Sequence, residues 1–407
     1  MFSRCQPWLR RSVVRGEEAR VQTNAKVAVF PCESYDPGLL DRCIAQAAED
    51  AGFPDITGKR ILVKPNLLKA AAPEEAVTTH PEFVASVLRF LWGRGAASIQ
   101  VGDSPGHQNG RAVGKTSGIL QAALDGGADW VDFVPGESRP APEARLVKSF
   151  KLASALDDCD LVVNLPKLKT HRLATYTGAI KNLFGLLPGL AKSSMHLRFS
   201  DKIQFGTMLV DLGLSIKNSF HFLDGIVAMQ GEGPGNGEPF PLGLVFASRD
   251  AAALDWVAAS TIGYDPKKIP YLAEAIRRGG HDPDAPKIDT GSYLVDKKRT
   301  KGFKLLPYTA QANASLSEIP HYLEPLAMRF LAERPIFDKE RCIGCSACIR
   351  ICPAEALELG RLKDGKYQVL IDDRACITCY CCHEVCPVGA IAIGKILWRP
   401  NWQRKRK

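Results

Sequence analysis

With 407 residues the chain has room for two or three domains, and an apolar content of 45% is ordinary for a protein with a large core, which argues against disorder on the whole-chain scale. The net charge of +9 is concentrated at the ends: residues 1–25 carry five Arg against two Glu, and residues 397–407 carry five basic residues and no acid. The middle is nearly neutral and has no interleaved basic and aromatic patches, so no nucleic-acid partner is expected, and no run of about eighteen apolar residues offers a transmembrane segment.

Residues 1–25 read as a disordered basic leader. Arg10-Arg11-Ser12 faintly echoes a twin-arginine signal, but no apolar core of seven or more residues follows and no export is expected. Lys26-Val27-Ala28-Val29-Phe30 is a strand. Asp36-Pro37 then caps a helix carrying Leu39, Leu40, Cys43, Ile44 and Ala47 at helical spacing. Ile61-Leu62-Val63 is the next strand, with Lys64-Pro65-Asn66 at its carboxyl end. A helix follows over 81–94, then the strand Ile99-Gln100-Val101, which closes on Gly102-Asp103-Ser104-Pro105-Gly106-His107. A helix over 113–124, a weak strand near Val131, an edge-like strand Arg145-Leu146-Val147 and the apolar strand Leu161-Val162-Val163 come next. Strands alternating with amphipathic helices predict an α/β domain over 26–290 with a largely parallel sheet, whose ligands lie past the carboxyl ends of the strands.

Asn164-Leu165-Pro166-Lys167-Leu168-Lys169-Thr170-His171 is the most informative stretch. If extended, as Pro166 favours for Leu165, it turns Lys167, Lys169 and His171 to one face. With Lys181-Asn182 nearby they would form a site for a carboxylate, phosphate or other anion. A helix is expected over 201–218 and a strand over 220–224. The loop Gly231-Glu232-Gly233-Pro234-Gly235-Asn236-Gly237 lacks the strand–loop–helix setting of a dinucleotide site; Glu232 within it is a candidate acid or base. Leu242-Gly243-Leu244-Val245-Phe246-Ala247 and a helix over 251–262 end the α/β pattern, and 291–334 reads as a connector.

The last segment carries the most specific signal. Cys342-x-x-Cys345-x-x-Cys348-x-x-x-Cys352-Pro353 is followed by Cys376-x-x-Cys379-x-x-Cys382-x-x-x-Cys386-Pro387. Three thiolates two residues apart wrap one cubane face, while the fourth, before proline, is turned to the other cluster. Cys342, Cys345, Cys348 and Cys386 are therefore assigned to one 4Fe-4S cluster, and Cys376, Cys379, Cys382 and Cys352 to a second. Zinc also takes four cysteines, but rarely in this doubled pattern. The repeat resembles a bacterial-type dicluster ferredoxin domain over 335–396, followed by a basic tail at 397–407. Cys381 has no place in the spacing and reads as a packed thiol. The remaining cysteines show no pairing pattern, which with the clusters points to a reducing cytoplasm.

Five pieces of the middle region, taken in order, resemble the family known as domain of unknown function 362. They are Val63-Lys64-Pro65-Asn66, Val101-Gly102-Asp103-Ser104-Pro105-Gly106, Asn164 to His171 as quoted above, Gly178-Ala179-Ile180-Lys181-Asn182-Leu183-Phe184-Gly185 and Gly231-Glu232-Gly233-Pro234. The resemblance covers about residues 60–260 and implies an α/β body, often joined to a ferredoxin module, with a distant likeness in fold to the amino-terminal part of lactate racemase. The nickel-cofactor histidine pattern of that enzyme has no counterpart here, and no racemase activity is carried over.

Two functions fit. In the first, an iron–sulfur oxidoreductase passes electrons from the two clusters to a small anionic substrate. Lys64, Lys167, Lys169 and Lys181 bind the anion, Asn66 and Asn182 orient it, His171 or His107 delivers protons, and Asp103 holds a metal or fixes a lysine. In the second, the chain is a non-catalytic electron carrier or cluster-holding docking subunit for a redox partner protein.

Overall fold

A computed structural model describes residues 25–106, 108–291, 299–308, 333–361 and 365–395. The leader, the basic tail, His107 and most of the expected connector lie outside the described residues. Along the chain run β1 (Ala25–Pro31), α1 (Pro37–Asp50), β2 (Arg60–Pro65), α2 (Pro81–Gly93), β3 (Ser98–Val101), α3 (Gly110–Thr116), α4 (Ile119–Asp125) and β4 (Asp129–Trp130). Next come β5 (Pro135–Pro140), β6 (Ser149–Ala153), β7 (Leu161–Leu165), β8 (Lys167–His171), β9 (Thr175–Thr177), α5 (Ala179–Leu183), α6 (Ala191–Arg198) and α7 (Lys202–Ser215). The α/β body closes with β10 (Ser219–Gln230), β11 (Glu238–Ser248), α8 (Ala251–Thr261), α9 (Pro270–Arg278) and β12 (Ile288–Asp289).

The central sheet has the order β12-β1-β11-β10-β7-β2-β3-β4. It is mixed and mostly parallel: β2 pairs in parallel with β3 and β7, and β7 with β10, while β11 runs antiparallel to both β1 and β10. Alternate strand residues feed two cores, as a pleated strand requires. Leu62 and Val162 join the core under α5, α7, α8 and α9; Ile61, Val63, Leu161 and Val163 join the core under α1, α2 and α4. This is the three-layer α/β arrangement expected of the pattern.

Three local expectations change. The helix over 113–124 is two helices, because Gly118 takes a left-handed φ of 76°. Arg145-Leu146-Val147 is not a strand: its three backbone N–H groups donate to the Asp211 carboxylate at 2.7–3.0 Å, leaving no ladder to form. The strand expected over 220–224 runs the full length of β10. Pro166 interrupts the extended stretch into β7 and β8, and β10 pairs first with β7 and then with β8. The carbonyl of Pro166 still accepts the Asp224 N–H at 2.9 Å, so proline ends one pairing without releasing the chain.

The carboxyl-terminal module is a pseudo-symmetric repeat. β13 (Glu333–Phe337) pairs with β16 (Ile391–Lys395), and β14 (Leu357–Arg361) with β15 (Tyr367–Ile371). Its two short helices, Ala347–Ile351 and Cys381–Val385, each follow a residue in the left-handed region, Ser346 at φ 59° and Tyr380 at φ 60°. Cys352 accepts the Ala356 N–H at 3.3 Å and Cys386 the Ala390 N–H at 3.1 Å, the same contact in each half.

Candidate functional site

The carboxyl ends of β2 and β7 deliver Lys64, Asn66 and Asn164, the β3 turn delivers Asp103, and α5 delivers Lys181 and Asn182. Lys64 is fully buried with its ammonium 2.8 Å from Asp103, whose second oxygen accepts the Leu67 N–H at 2.8 Å. Desolvation lowers the Lys64 pKa while Asp103 opposes it. Room for the pair depends on Gly185, where a Cβ would stand 2.2 Å from Asp103 Oδ1. Three asparagines form a directed chain: Asn66 Nδ2 donates to Asn182 Oδ1 at 3.0 Å, and Asn182 Nδ2 to Asn164 Oδ1 at 2.8 Å. Asn164 Nδ2 reaches His221 Nδ1 at 3.0 Å. At the open end Asn66 Oδ1 is buried without a partner.

The three basic side chains of β8 are all buried, each with partners of its own. Lys167 is held 2.8 Å from Asp224 and 2.8 Å from the Tyr35 hydroxyl, in a buried cluster with His80 stacked on Tyr35. The expectation that Lys64 and Lys167 meet an anion directly is thus revised, since each already faces a buried carboxylate. Lys169 donates to the carbonyls of Val77 at 2.6 Å and Pro234 at 3.4 Å, and burial, then Lys167, pushes its ammonium down to about 7. His171 Nδ1 accepts the Leu173 and Ala174 N–H groups, so its proton sits on Nε2, 3.6 Å from Glu384 Oε1. Burial lowers the His171 pKa well below 6.5 and keeps the ring neutral.

Glu384 belongs to the carboxyl-terminal module and was not singled out by sequence. It occupies the x-x-x between Cys382 and Cys386, where the first repeat has the exposed Arg350; that break in the repeat was the available signal. Burial raises its pKa to about 7, opposed by Lys181 and Lys169. Its Oε1 has no hydrogen-bond partner.

Between the body and the module lies a cavity of about 100 Å³. Asn66, Asp103, Lys181, Asn182, Lys192 and His196 line it from the body, and Ile351, Cys381, Glu384 and Val385 from the module. Lys181 lies under the rings of Phe184, at 4.7 Å, and Phe205, at 5.9 Å. Burial lowers the Lys181 pKa and brings Lys192 down to about 7. Among the described residues neither ammonium has a carboxylate within ion-pair distance. A wider groove of about 760 Å³, sharing Asp103, Ser104 and Gly106 and rimmed by Arg350, adjoins the cavity.

Glu232, expected as an acid or base, instead forms an ion pair with Arg172, which also reaches Glu333 of the module at 3.5 Å. The glycine-rich loop around it is a docking surface. Lys69 donates to the Cys386 carbonyl at 2.9 Å, His383 Nε2 lies 3.3 Å from the Glu232 carbonyl, and a Cβ on Gly235 would lie 2.6 Å from the Glu384 carbonyl. Cys381, read from sequence as a packed thiol, lines the cavity.

Four of the eight motif cysteines lie around one cavity. Cys342, Cys345, Cys348 and Cys386 line it, while burial raises the Cys382 thiol pKa and the nearby Cys379, Cys376, Cys348 and Cys352 add to it. Among the described residues no three His, Cys, Asp or Glu side chains converge on one point as a single metal ion demands. Thiolates around a cubane are spread instead over several irons.

Comparison with known proteins agrees with this arrangement. Residues 61–260 match the family described as "Domain of unknown function (DUF362)". The Thylakoid-associated protein sll1697 of Synechocystis is 36% identical over 268 residues, covering 64% of this chain and 82% of that protein. The chain belongs to the DUF362 family. Residues 341–390 match the 4Fe-4S dicluster domain, so this DUF362 protein carries an iron–sulfur module fused to its α/β body. Two solved structures overlap it loosely. A Thermotoga maritima protein is 15% identical with a TM-score of 0.34, covering 52% of this chain and 55% of its own. The lactate racemase apoprotein of Thermoanaerobacterium thermosaccharolyticum is 12% identical with a TM-score of 0.38, covering 60% and 57%. The chain thus spans little more than half the length of each. Among the described residues no helix is long and apolar enough to cross a membrane.

Proposed function

We propose that this DUF362 protein is an iron–sulfur oxidoreductase that transfers electrons to a small anion held between its two parts. The observation that carries this reading is the shared cavity, whose one wall is the end of the parallel sheet and whose other wall is the helix between two cysteine ligands. Cys342, Cys345, Cys348 and Cys386 would hold one 4Fe-4S cluster, and Cys352, Cys376, Cys379 and Cys382 the other. Such clusters supply electrons singly at potentials set by the surrounding charge and hydrogen bonds.

The residues divide the remaining work. Lys181 and Lys192 line the cavity together with Asp103 and Glu384, neither carboxylate within ion-pair distance of either ammonium, and a carboxylate or phosphate between the two lysines would hold both in their charged form. Asn182 and Asn66 are fixed by the asparagine chain and orient the ligand, and the open Asn66 Oδ1 accepts a hydrogen bond from it. The neutral His171 holds a proton on Nε2 toward Glu384, which stands between it and the cavity as a proton-exchanging group. A volume of about 100 Å³ admits a molecule of only a few non-hydrogen atoms.

The test uses anaerobically prepared full-length protein, which should contain about eight iron atoms per chain. After reduction, a panel of small carboxylates and phosphoesters is added and cluster reoxidation is followed by visible absorbance and electron paramagnetic resonance. At least one compound should reoxidise the clusters, and Lys181→Met should slow it at least tenfold. Reoxidation by none, with the iron intact, overturns the enzyme reading and leaves a carrier for a partner protein.

A further inference from the structure

Helix α5 has two faces. Lys181 and Asn182 look into the cavity just described, while Ile180 and Leu183 form part of the floor of a separate groove of about 820 Å³. This groove lies at the opposite end of the sheet, where β1 and β10 begin, and its size falls within the range of small-molecule sites. The floor is apolar, with Val210 and Ile216 beside the α5 residues, all four buried. The rim is cationic. Lys26 from β1, Lys217 from the turn before β10 and Arg249 from the turn after β11 are all exposed. Among the described residues no carboxylate pairs with any of the three. The acid beside them, Asp250, also lines the groove and uses Oδ1 to cap α8, accepting the Ala252 and Ala253 N–H groups at 2.8 and 3.0 Å.

A second observation points to a ligand. His281, only 8% exposed, lines the same groove, and its Nδ1 has no hydrogen-bond partner. A buried imidazole nitrogen left without a partner is costly unless something supplies one.

We infer that this groove binds a phosphorylated small molecule of about nucleotide size, its apolar body on the α5 floor and its phosphates among Lys26, Lys217 and Arg249. Three unpaired cations drawn from three separate elements exceed what one carboxylate neutralises and fit a ligand with two or more anionic oxygens spread along it. A redox partner protein is a poorer occupant, because the sheet separates this end from the cysteines. Nucleic acid would need a longer basic track than one groove on a nearly neutral body provides.

The experiment is calorimetric titration of full-length holoprotein, at physiological ionic strength, with ADP, flavin mononucleotide and inorganic pyrophosphate. ADP or the flavin nucleotide should bind, and pyrophosphate, lacking a body to cover the floor, should bind more weakly. The double variant Lys217→Ala with Arg249→Ala alters exposed side chains only and should weaken binding at least tenfold. Lys181→Met, on the other face of α5, should leave it unchanged. The inference is overturned if none of the three compounds binds below millimolar concentration, if the double variant binds as tightly as the parent, or if Lys181→Met abolishes binding and so places the ligand in the cavity.

Discussion

Lys64 and Asp103 illustrate what a sheet-end motif does once folded. Each was visible in sequence as a polar residue just past a strand, but their pairing depends on two strands lying side by side, which spacing alone does not report. The pair is buried and only 2.8 Å across. Removing one partner leaves a charge that must be neutralised or resolvated, so Lys64→Met should cost roughly 3–5 kcal/mol in urea unfolding. Adding Asp103→Asn to it should recover part of that loss, because the amide removes the unpaired charge and its oxygen can still accept a backbone N–H. Asp255 makes a different prediction. Burial raises its pKa from 3.8 to about 7, although the Ala179 and Ile180 N–H groups pull it down. Between those values the folded state keeps a proton that the unfolded chain releases. The stability tied to Asp255 is therefore greatest below pH 4 and falls as pH rises toward 7. Asp255→Asn should flatten the stability profile between pH 5 and 7, measured by urea unfolding at each pH. Glu384 shows the limit of reading residues singly: within a cysteine run the sulfurs dominate the pattern, and its role depends on a partner surface more than two hundred residues earlier in the chain.

At the level of elements, the strands and helices with clear periodicity formed where expected, because each could bury its apolar face locally. Gly118 split one expected helix from within, whereas the loss of the strand at 145–147 had a distant cause. Asp211, on α7, takes the N–H groups of residues 145–147 and turns a β-like tripeptide into an anchored loop leading to β6. The same carboxylate pairs with Arg278 at 2.7 Å, tying α7, α9 and this loop together. Asp211→Ala strands several donors and the guanidinium at once. It should destabilise by about 2–4 kcal/mol, and it should speed hydrogen exchange at residues 145–147 more than in β7. β8 was legible as extended, but the partners of its side chains were not. Pairing with β10 is irregular between Asp224 and Met229, and it places Lys167 against Asp224 while Lys169 and His171 approach the module.

For the molecule as a whole, sequence reading separated an α/β body from a cysteine-rich module but gave no view of their meeting surface. That surface combines backbone carbonyls, glycine approaches and the bridging Arg172 with Tyr380 packed into the body's core, features with no periodic signature. Arg172 reaches Glu232 on the body and Glu333 on the module. Arg172→Ala should leave the iron content unchanged and loosen the docking. Hydrogen exchange should rise along both β13 and the 231–237 loop, with slower substrate-driven reoxidation. An unaltered exchange pattern would show that the remaining contacts suffice.

Because the helix holding Glu384 forms one wall of the chamber, the iron-bearing half is also part of the container. Transplanting another protein's ferredoxin onto this body would restore a source of current but leave the vessel unsealed and its acid missing. Supplying reduced ferredoxin in solution to a truncated body should fail for the same reason. Under the proposed function, the fusion would serve shape as much as proximity.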